Sequence, residues 1–204
     1  GENDGAAKYL SKIVWDHVQE QWGRAIEVMD WLKSLTKSLF NLMQPLMWKT
    51  PTGSNVLMAY YKTTSKIVKL FSVPPLQQHR EVRVHDEARK KGLDWKLQMR
   101  GAAPNFIHSL DAAHLMKTVN ACAEAGIQDF MMIHDAYGTH ACNAAVMSRI
   151  LREQFVEMYQ DDILSTLWQE CQQNNPQLQV PMGGPPARGD FSVDQVLKSE
   201  FFFS

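Results

Sequence analysis

Leu10, Ile13, Val14, Val18, Trp22, Ile26, Met29, Leu32 and Leu35 recur three or four residues apart, and this spacing constrains the chain more than any other feature. An α-helix gathers such positions into one apolar stripe. The stripe predicts a helix over residues 8 to about 44. It should stop at Pro45, whose ring clashes with the preceding turn and which lacks an N–H to donate. A stripe this long needs neighbours to cover it.

The rest of the chain alternates short extended runs with further helices. "WKTPTG" (48–53) reads as a turn, since Pro51 and Gly53 suit its dihedrals. Residues 66–73 interleave lysines with β-branched and apolar residues, Pro74–Pro75 interrupts them, and "EVRVH" alternates with period two. Together they predict a two-stranded hairpin with a long tip. Residues 86–103 read as a basic loop or short helix. "PNFIHSLDAAHLMKTVNACAEAG" (104–126) predicts a helix capped by Asn105 or Ser109 and ended by Gly126, where a left-handed residue is expected. "FMMIHDAYGTHA" (130–141) reads as strand, bend and strand. Asn143 should cap a long helix to about Cys171, with a break near Asp161–Asp162, and residues 174–190 form a Pro/Gly-rich linker before a short closing helix. The class is α+β, helix-rich with β-hairpins.

Composition narrows the function. The 204 residues are 45% hydrophobic, as in globular domains, and no run of eighteen apolar residues occurs, which argues against a membrane span. "GENDGAAKYL" has neither the charge nor the apolar core of a signal peptide. Cys122, Cys142 and Cys171 are odd in number and lack C-x-x-C spacing, which favours reduced thiols over a zinc site. Charge is uneven. Residues 49–100 hold eleven Lys/Arg against four Asp/Glu, whereas residues 101–204 hold five against twelve. A basic middle suits a polyanion and an acidic end suits cations; neutralisation of one segment by the other accounts for the counts equally well.

The chemistry concentrates at His134–Asp135. An unpaired carboxylate is costly to bury, so a strand that ends in this pair must present it to water, a partner or a metal. A carboxylate held on a tight bend is a good hard-oxygen ligand for Mg²⁺; a turn aspartate beside a surface histidine is the plain alternative. His108, Asp111 and His114, with His140 beyond the hairpin, could also form a His/Asp metal site of the phosphohydrolase kind. In that family, however, the His-Asp pair lies on a helix.

"APNFIHSLDAAHLMKTV", "FMMIHDAYGTHA" and "PARGDFSVDQVLKSEFFFS", preceded in order by "AKYLSKIVWDHV…AIEVMDWLKSL" and "WKTPTG…YYK", resemble the phage-type single-subunit DNA-dependent RNA polymerases, a family that includes the mitochondrial enzymes. The resemblance implies the C-terminal palm and adjoining fingers of a right-hand polymerase fold. It divides the chain into a fingers-type helical segment (1–61), a basic promoter-reading hairpin and loop (62–103), and a palm segment with the metal-binding hairpin and a C-terminal foot (104–204). It implies that Asp135 is catalytic and binds Mg²⁺, one of two ions, with His134 beside the reacting end. His108 would meet the minor groove of the newest base pair. Lys62, Lys66, Lys69, Arg80 and Arg83 would contact promoter DNA.

The implied partners are promoter and template DNA, the RNA product, nucleoside triphosphates, and the upstream portion of the polymerase. That portion carries the second palm aspartate and the fingers arginine, lysine and tyrosine, none of which has a counterpart in these residues. It should also cover part of the first helix. The apolar end "FFFS" would be an aggregation liability if exposed, so Phe202 or Phe203 is expected to pack. Gly138 favours a phage enzyme in the cytoplasm of an infected bacterium over a mitochondrial one. Alternatives are an A-family DNA polymerase, against which Ala136 speaks where glutamate is usual, a non-catalytic nucleic-acid-binding remnant, and the phosphohydrolase.

Overall fold

The computed structural model describes residues 2–71, 79–87 and 92–202. Helix α1 (Glu2–Asn41) is followed by β1 (Leu46–Lys49), β2 (Asn55–Met58), β3 (Thr63–Phe71) and β4 (His79–Glu87). Then come α2 (Trp95–Glu124), β5 (Met131–Ile133), β6 (Ala136–Gly138), α3 (Ala144–Gln160) and α4 (Ile163–Asn174), with 3₁₀ turns at Ala141–Asn143 and Val193–Lys198. The strands form three separate antiparallel pairs, β1–β2, β3–β4 and β5–β6. None of the described helices is long and apolar enough to cross a membrane.

The stripe on α1 divides into two halves. Leu32 and Leu35 are buried with Trp31 and Leu39, while Leu10, Ile13, Val14, Val18, Trp22 and Met29 are exposed. Non-helical dihedrals at Trp22 (φ −120°, ψ 21°) kink the helix within the exposed half, and Gly23 next to it lowers the cost of the kink. The buried half packs with Leu46, Trp48, Phe106, Leu110, Met158, Leu167 and Leu178 in the main core. Both core tryptophans satisfy their N–H, which apolar burial would otherwise penalise. Trp31 donates to the Gly183 carbonyl (3.2 Å) and Trp48 to the Ser109 hydroxyl (2.9 Å). Trp48 also meets Phe106 edge-on, with centroids 5.7 Å apart.

Helix α2 departs from expectation at its start. It begins at Trp95, so the segment 86–103, expected to be a basic loop or short helix, is helical in its last nine residues and continuous with the following helix, and a boundary between 103 and 104 falls inside one helix. Asp94 is the cap, its carboxylate accepting from the backbone of Lys96 (3.0 Å) and Leu97 (3.1 Å). Pro104 lies within the helix. The penalty for its missing hydrogen bond is offset by burial of Ala102, Ala103 and Phe106 around it. The expected caps have other tasks. Asn105 donates to the Tyr60 hydroxyl, and Ser109 donates to the Phe106 carbonyl. Gly126 follows the helix end with φ +87°, as expected of the stop.

Downstream, the break at Asp161–Asp162 separates α3 from α4. Asn143 makes no side-chain cap bond; Asp162 makes the corresponding bond for α4, accepting from Ser165 N (3.0 Å) and Ser165 Oγ (2.7 Å). Arg188, in the linker, donates to the Gln160 carbonyl (2.8 Å) and the Tyr159 carbonyl, satisfying acceptors left open at the end of α3.

The Ser165 hydroxyl, aided by the Ser165 N–H and Arg188, holds the Asp162 carboxyl below its ordinary 3.8. A depressed carboxyl contributes stability above its unfolded value and loses it as pH falls through the folded one. Asp162→Ala should therefore cost about 1 kcal/mol near neutral pH, and the deficit should shrink as pH falls through the depressed folded value of the carboxyl. Urea unfolding of wild type and variant across pH measures this; a deficit that persists in acid would assign the loss to packing.

Candidate active-site hairpin

After α2 the chain turns at Gly126 and buries Ile127 beside Cys122, Met147 and Ile150, a second cluster joined by half-buried Phe130, Met132 and Tyr137. Strands β5 and β6 pair Met131 with Gly138, Met132 with Tyr137 and Ile133 with Ala136. The pair Met132–Tyr137 faces the cluster, while Met131 and Ile133 are exposed. Only one face of the apolar run is covered, so the strand is less deeply anchored than its composition suggests. The side chains of Thr139 and His140 close the hairpin's base: Thr139 donates to the Asp129 carbonyl (2.9 Å), and His140 lies 3.4 Å from the Asp129 carboxylate.

His134 and Asp135 form the two-residue turn, and both are exposed. His134 has φ +53°, the sign ordinarily supplied by glycine at the first position of a tight hairpin turn. Histidine tolerates this region better than most side chains, and such outliers cluster at functional sites. Asp135 thus stands in solvent with its oxygens free of competing helix or strand hydrogen bonds, on a rung set by the Ile133–Ala136 pair.

The histidines on α2 do not make a metal site. His108 and Asp111 are exposed and His114 is buried, and among the described residues no three His, Cys, Asp or Glu side chains are grouped to hold an ion. His114 Nε2 lies 2.9 Å from the Leu151 carbonyl on α3, and its Nδ1 lies 3.1 Å from the Tyr137 hydroxyl on β6. A carbonyl can only accept, so Nε2 carries the proton and Nδ1 accepts from Tyr137. Burial lowers the His114 pKa, opposed by the Leu151 bond and the charge of Asp111, which keeps the ring neutral. Burial, then Asp111 and Asp135, pushes the Tyr137 hydroxyl up to about 12, so it remains a donor. Reading the sequence alone missed both roles. The usable signal was alternation, which puts Tyr137 on the covered face of β6 with Met132.

His114 also meets Phe155 edge-on (5.6 Å), and Phe155 meets Phe202 (4.9 Å). Phe202 of the terminal "FFFS" therefore packs, as expected, while Phe201 is 83% exposed; Phe203 lies outside the described residues.

The basic hairpin is present as β3–β4, with Lys66 opposite Val84, Ile67 opposite Arg83, Lys69 opposite Glu81 and Leu70 opposite Arg80. Lys62 precedes β3 and is exposed. The expected tip with Pro74–Pro75 lies outside the described residues.

A model of the DNA-dependent RNA polymerase family matches residues 2–182. The chain belongs to this family. It is 38% identical over 202 residues to the chloroplastic/mitochondrial DNA-directed RNA polymerase 2B of Nicotiana tabacum, which covers 98% of the chain and 18% of that relative. It is likewise 38% identical over 200 residues to DNA-directed RNA polymerase 2A of the same plant (98% and 57%). The figures are 38% over 200 residues for the chloroplastic polymerase 3 of Nicotiana sylvestris (98% and 19%). The polymerase chain thus spans between about a fifth and just over half of the length of these relatives.

Two of these names are organellar, and the preference for a phage source finds no support in them. A Cβ at Gly138 would lie 3.1 Å from the Met131 carbonyl and 3.4 Å from its Cβ, so the cross-strand contact gives glycine a local structural reason at this position.

If His134 carries turn strain, β-branched and achiral replacements should differ sharply. His134→Val should be less stable than His134→Gly by about 1–2 kcal/mol, the cost of the left-handed region for a residue with a Cβ. Chemical denaturation of the two variants measures the gap; equal stabilities would remove the strain.

Proposed function

We propose that the chain forms part of the active site of a template-directed RNA polymerase, with Asp135 as a catalytic residue and metal ligand. The observation that carries this reading is the exposed aspartate at the turn of a hairpin in a chain of this family. Residues 104–204 then act as palm segment and foot, residues 1–61 as fingers-type helices, and residues 62–103 as the promoter-reading element.

Asp135 fits Mg²⁺ as one ligand: its oxygens are hard, anionic, exposed and presented by a short turn. One carboxylate does not close a two-ion site, so a second aspartate from the upstream portion of the polymerase must share the load. Mg²⁺ held there would supply charge neutralisation for the in-line transfer of a nucleotide from a triphosphate to the RNA 3′ end, with release of diphosphate. The chain's own residues orient the reactants. His134, adjacent at the turn, stands beside the RNA end. His108, exposed on α2, offers a donor to the purine N3 and pyrimidine O2 acceptors that every base pair presents in the minor groove. Such a contact checks pair geometry without reading sequence.

Lys62, Lys66, Lys69, Arg80 and Arg83 serve promoter DNA. A two-stranded ribbon fits a major groove, and its cations can meet bases and the flanking phosphates. The organellar relatives favour a plastid or mitochondrial setting over a bacterial host.

In the complete polymerase, Asp135→Asn should keep the hairpin's shape, reduce elongation by several orders of magnitude and leave template binding nearly intact. Primer extension with a parallel binding assay decides it, and extension at the wild-type rate overturns the assignment. The 204-residue chain assayed alone should extend no primer until the upstream portion is added.

Exchange of the β3–β4 tip should redirect promoter choice and spare extension of a preformed primer. A base-reading arginine should account for about 1–3 kcal/mol of discrimination, and a phosphate-bound lysine should mainly alter the salt slope. Equal loss of both activities would argue against sequence readout by the ribbon.

A further inference from the structure

The three-residue strands β5 and β6 and their two-residue turn make a hairpin too small to hold itself in one place, since an isolated two-stranded hairpin is marginal in water. Its position relative to the helices must come from what its covered face touches. Apolar contact at Met132 and Phe130 is non-directional and lets the ribbon slide or tilt. The hydrogen bond from Tyr137 is directional. Its acceptor, His114 Nδ1, is itself fixed, because Nε2 of the same ring is bonded to the Leu151 carbonyl on α3. His114 is 4% exposed, so water cannot readily substitute for either partner. The edge-on packing of the ring against Tyr137 (5.8 Å, 62°) and Phe155 (5.6 Å, 87°) removes its remaining freedom.

We infer that Tyr137 and His114 are positioning residues: the bond between them ties the metal-binding turn to α2 and α3 and sets where the Asp135 carboxylate is presented. Tyr137 is two residues past Asp135 on a strand whose first residue, Ala136, pairs with Ile133. A tilt of the tyrosine is therefore passed directly to the turn. The inference rests on the reading of Asp135 as a cation ligand, and it adds a supporting layer beneath that ligand of the kind that orients metal-binding groups elsewhere.

The test uses the complete polymerase with Tyr137→Phe, which keeps the ring and removes the hydroxyl, and His114→Gln, which keeps a donor for Leu151. Mn²⁺ alone is titrated into each protein and followed by electron paramagnetic resonance. Primer extension gives kcat and the KM for nucleotide, and thermal unfolding gives Tm. Tyr137→Phe should weaken Mn²⁺ binding about tenfold and lower kcat with little change in KM. The double variant should be no worse than the more severe single one, because both remove the same link. A lowered Tm with unchanged Mn²⁺ binding and unchanged kcat would make the bond purely structural and overturn the inference, as would additive losses in the double variant. Asp135→Asn is run alongside. If it leaves Mn²⁺ binding and extension intact, the reading of Asp135 is lost and the brace with it. If it abolishes both while Tyr137→Phe changes neither, the brace alone is wrong. Should His114→Gln fail to fold, the Tyr137→Phe result decides.

Discussion

Burial along α2 is the constraint on which the rest of the structure depends. Ala102, Ala103, Phe106, Leu110 and Ala113 enter the main core with α1, β1 and α4, and Cys122, further along the same helix, enters the second cluster under the β5–β6 hairpin. One rigid rod therefore connects the two clusters. Its N-terminal part carries small residues where backbones crowd. A Cβ at Gly101 would come 2.7 Å from the Tyr60 ring, so the close approach of Tyr60, and its bond from Asn105, require that glycine. Anything that shifts α2 moves His108 directly and moves Asp135 through His114 and Tyr137.

The hairpin illustrates how a site can be exposed and still be held. Its tip offers an aspartate to solvent, its outer face shows Met131 and Ile133 to solvent, and its inner face rests on a small cluster. Directional bonds replace bulk there. Tyr137 to His114 fixes the inner face, and Thr139 to the Asp129 carbonyl fixes the base. The ring contacts continue through Phe155 to Phe202, so the C-terminal segment is packed into the same support as the turn. Uncovered apolar residues on the first half of α1 contrast with this. They sit on an element whose amphipathic pattern exceeds what the described residues bury.

Much of the candidate site was legible because its signals are local. A two-residue turn after an apolar run, a glycine after a helix, and lysines interleaved with β-branched residues each act over a few residues, and the structure has all three. What was misread required distant partners. Asn105 and Ser109 looked like caps because each suits a helix start locally, whereas the Asp94 cap and the continuous helix from Trp95 are settled by burial of Ala102, Ala103 and Phe106. His114 looked like a candidate ligand beside His108 and Asp111 because helical spacing puts them near one another; the carbonyl of Leu151, thirty-seven residues away, makes it a buried neutral link instead.

By itself, then, the sequence determined the α+β class, the placement of His134–Asp135 at a hairpin turn, the basic ribbon and the family. These follow from periodicity, turn chemistry and ordered motifs, all carried within short windows. The tertiary structure alone decided where α2 begins, which half of the α1 stripe is buried, and which histidine is structural. Each of those outcomes depends on a desolvation cost and on a partner from another element, and neither is encoded in the neighbours of the residue concerned.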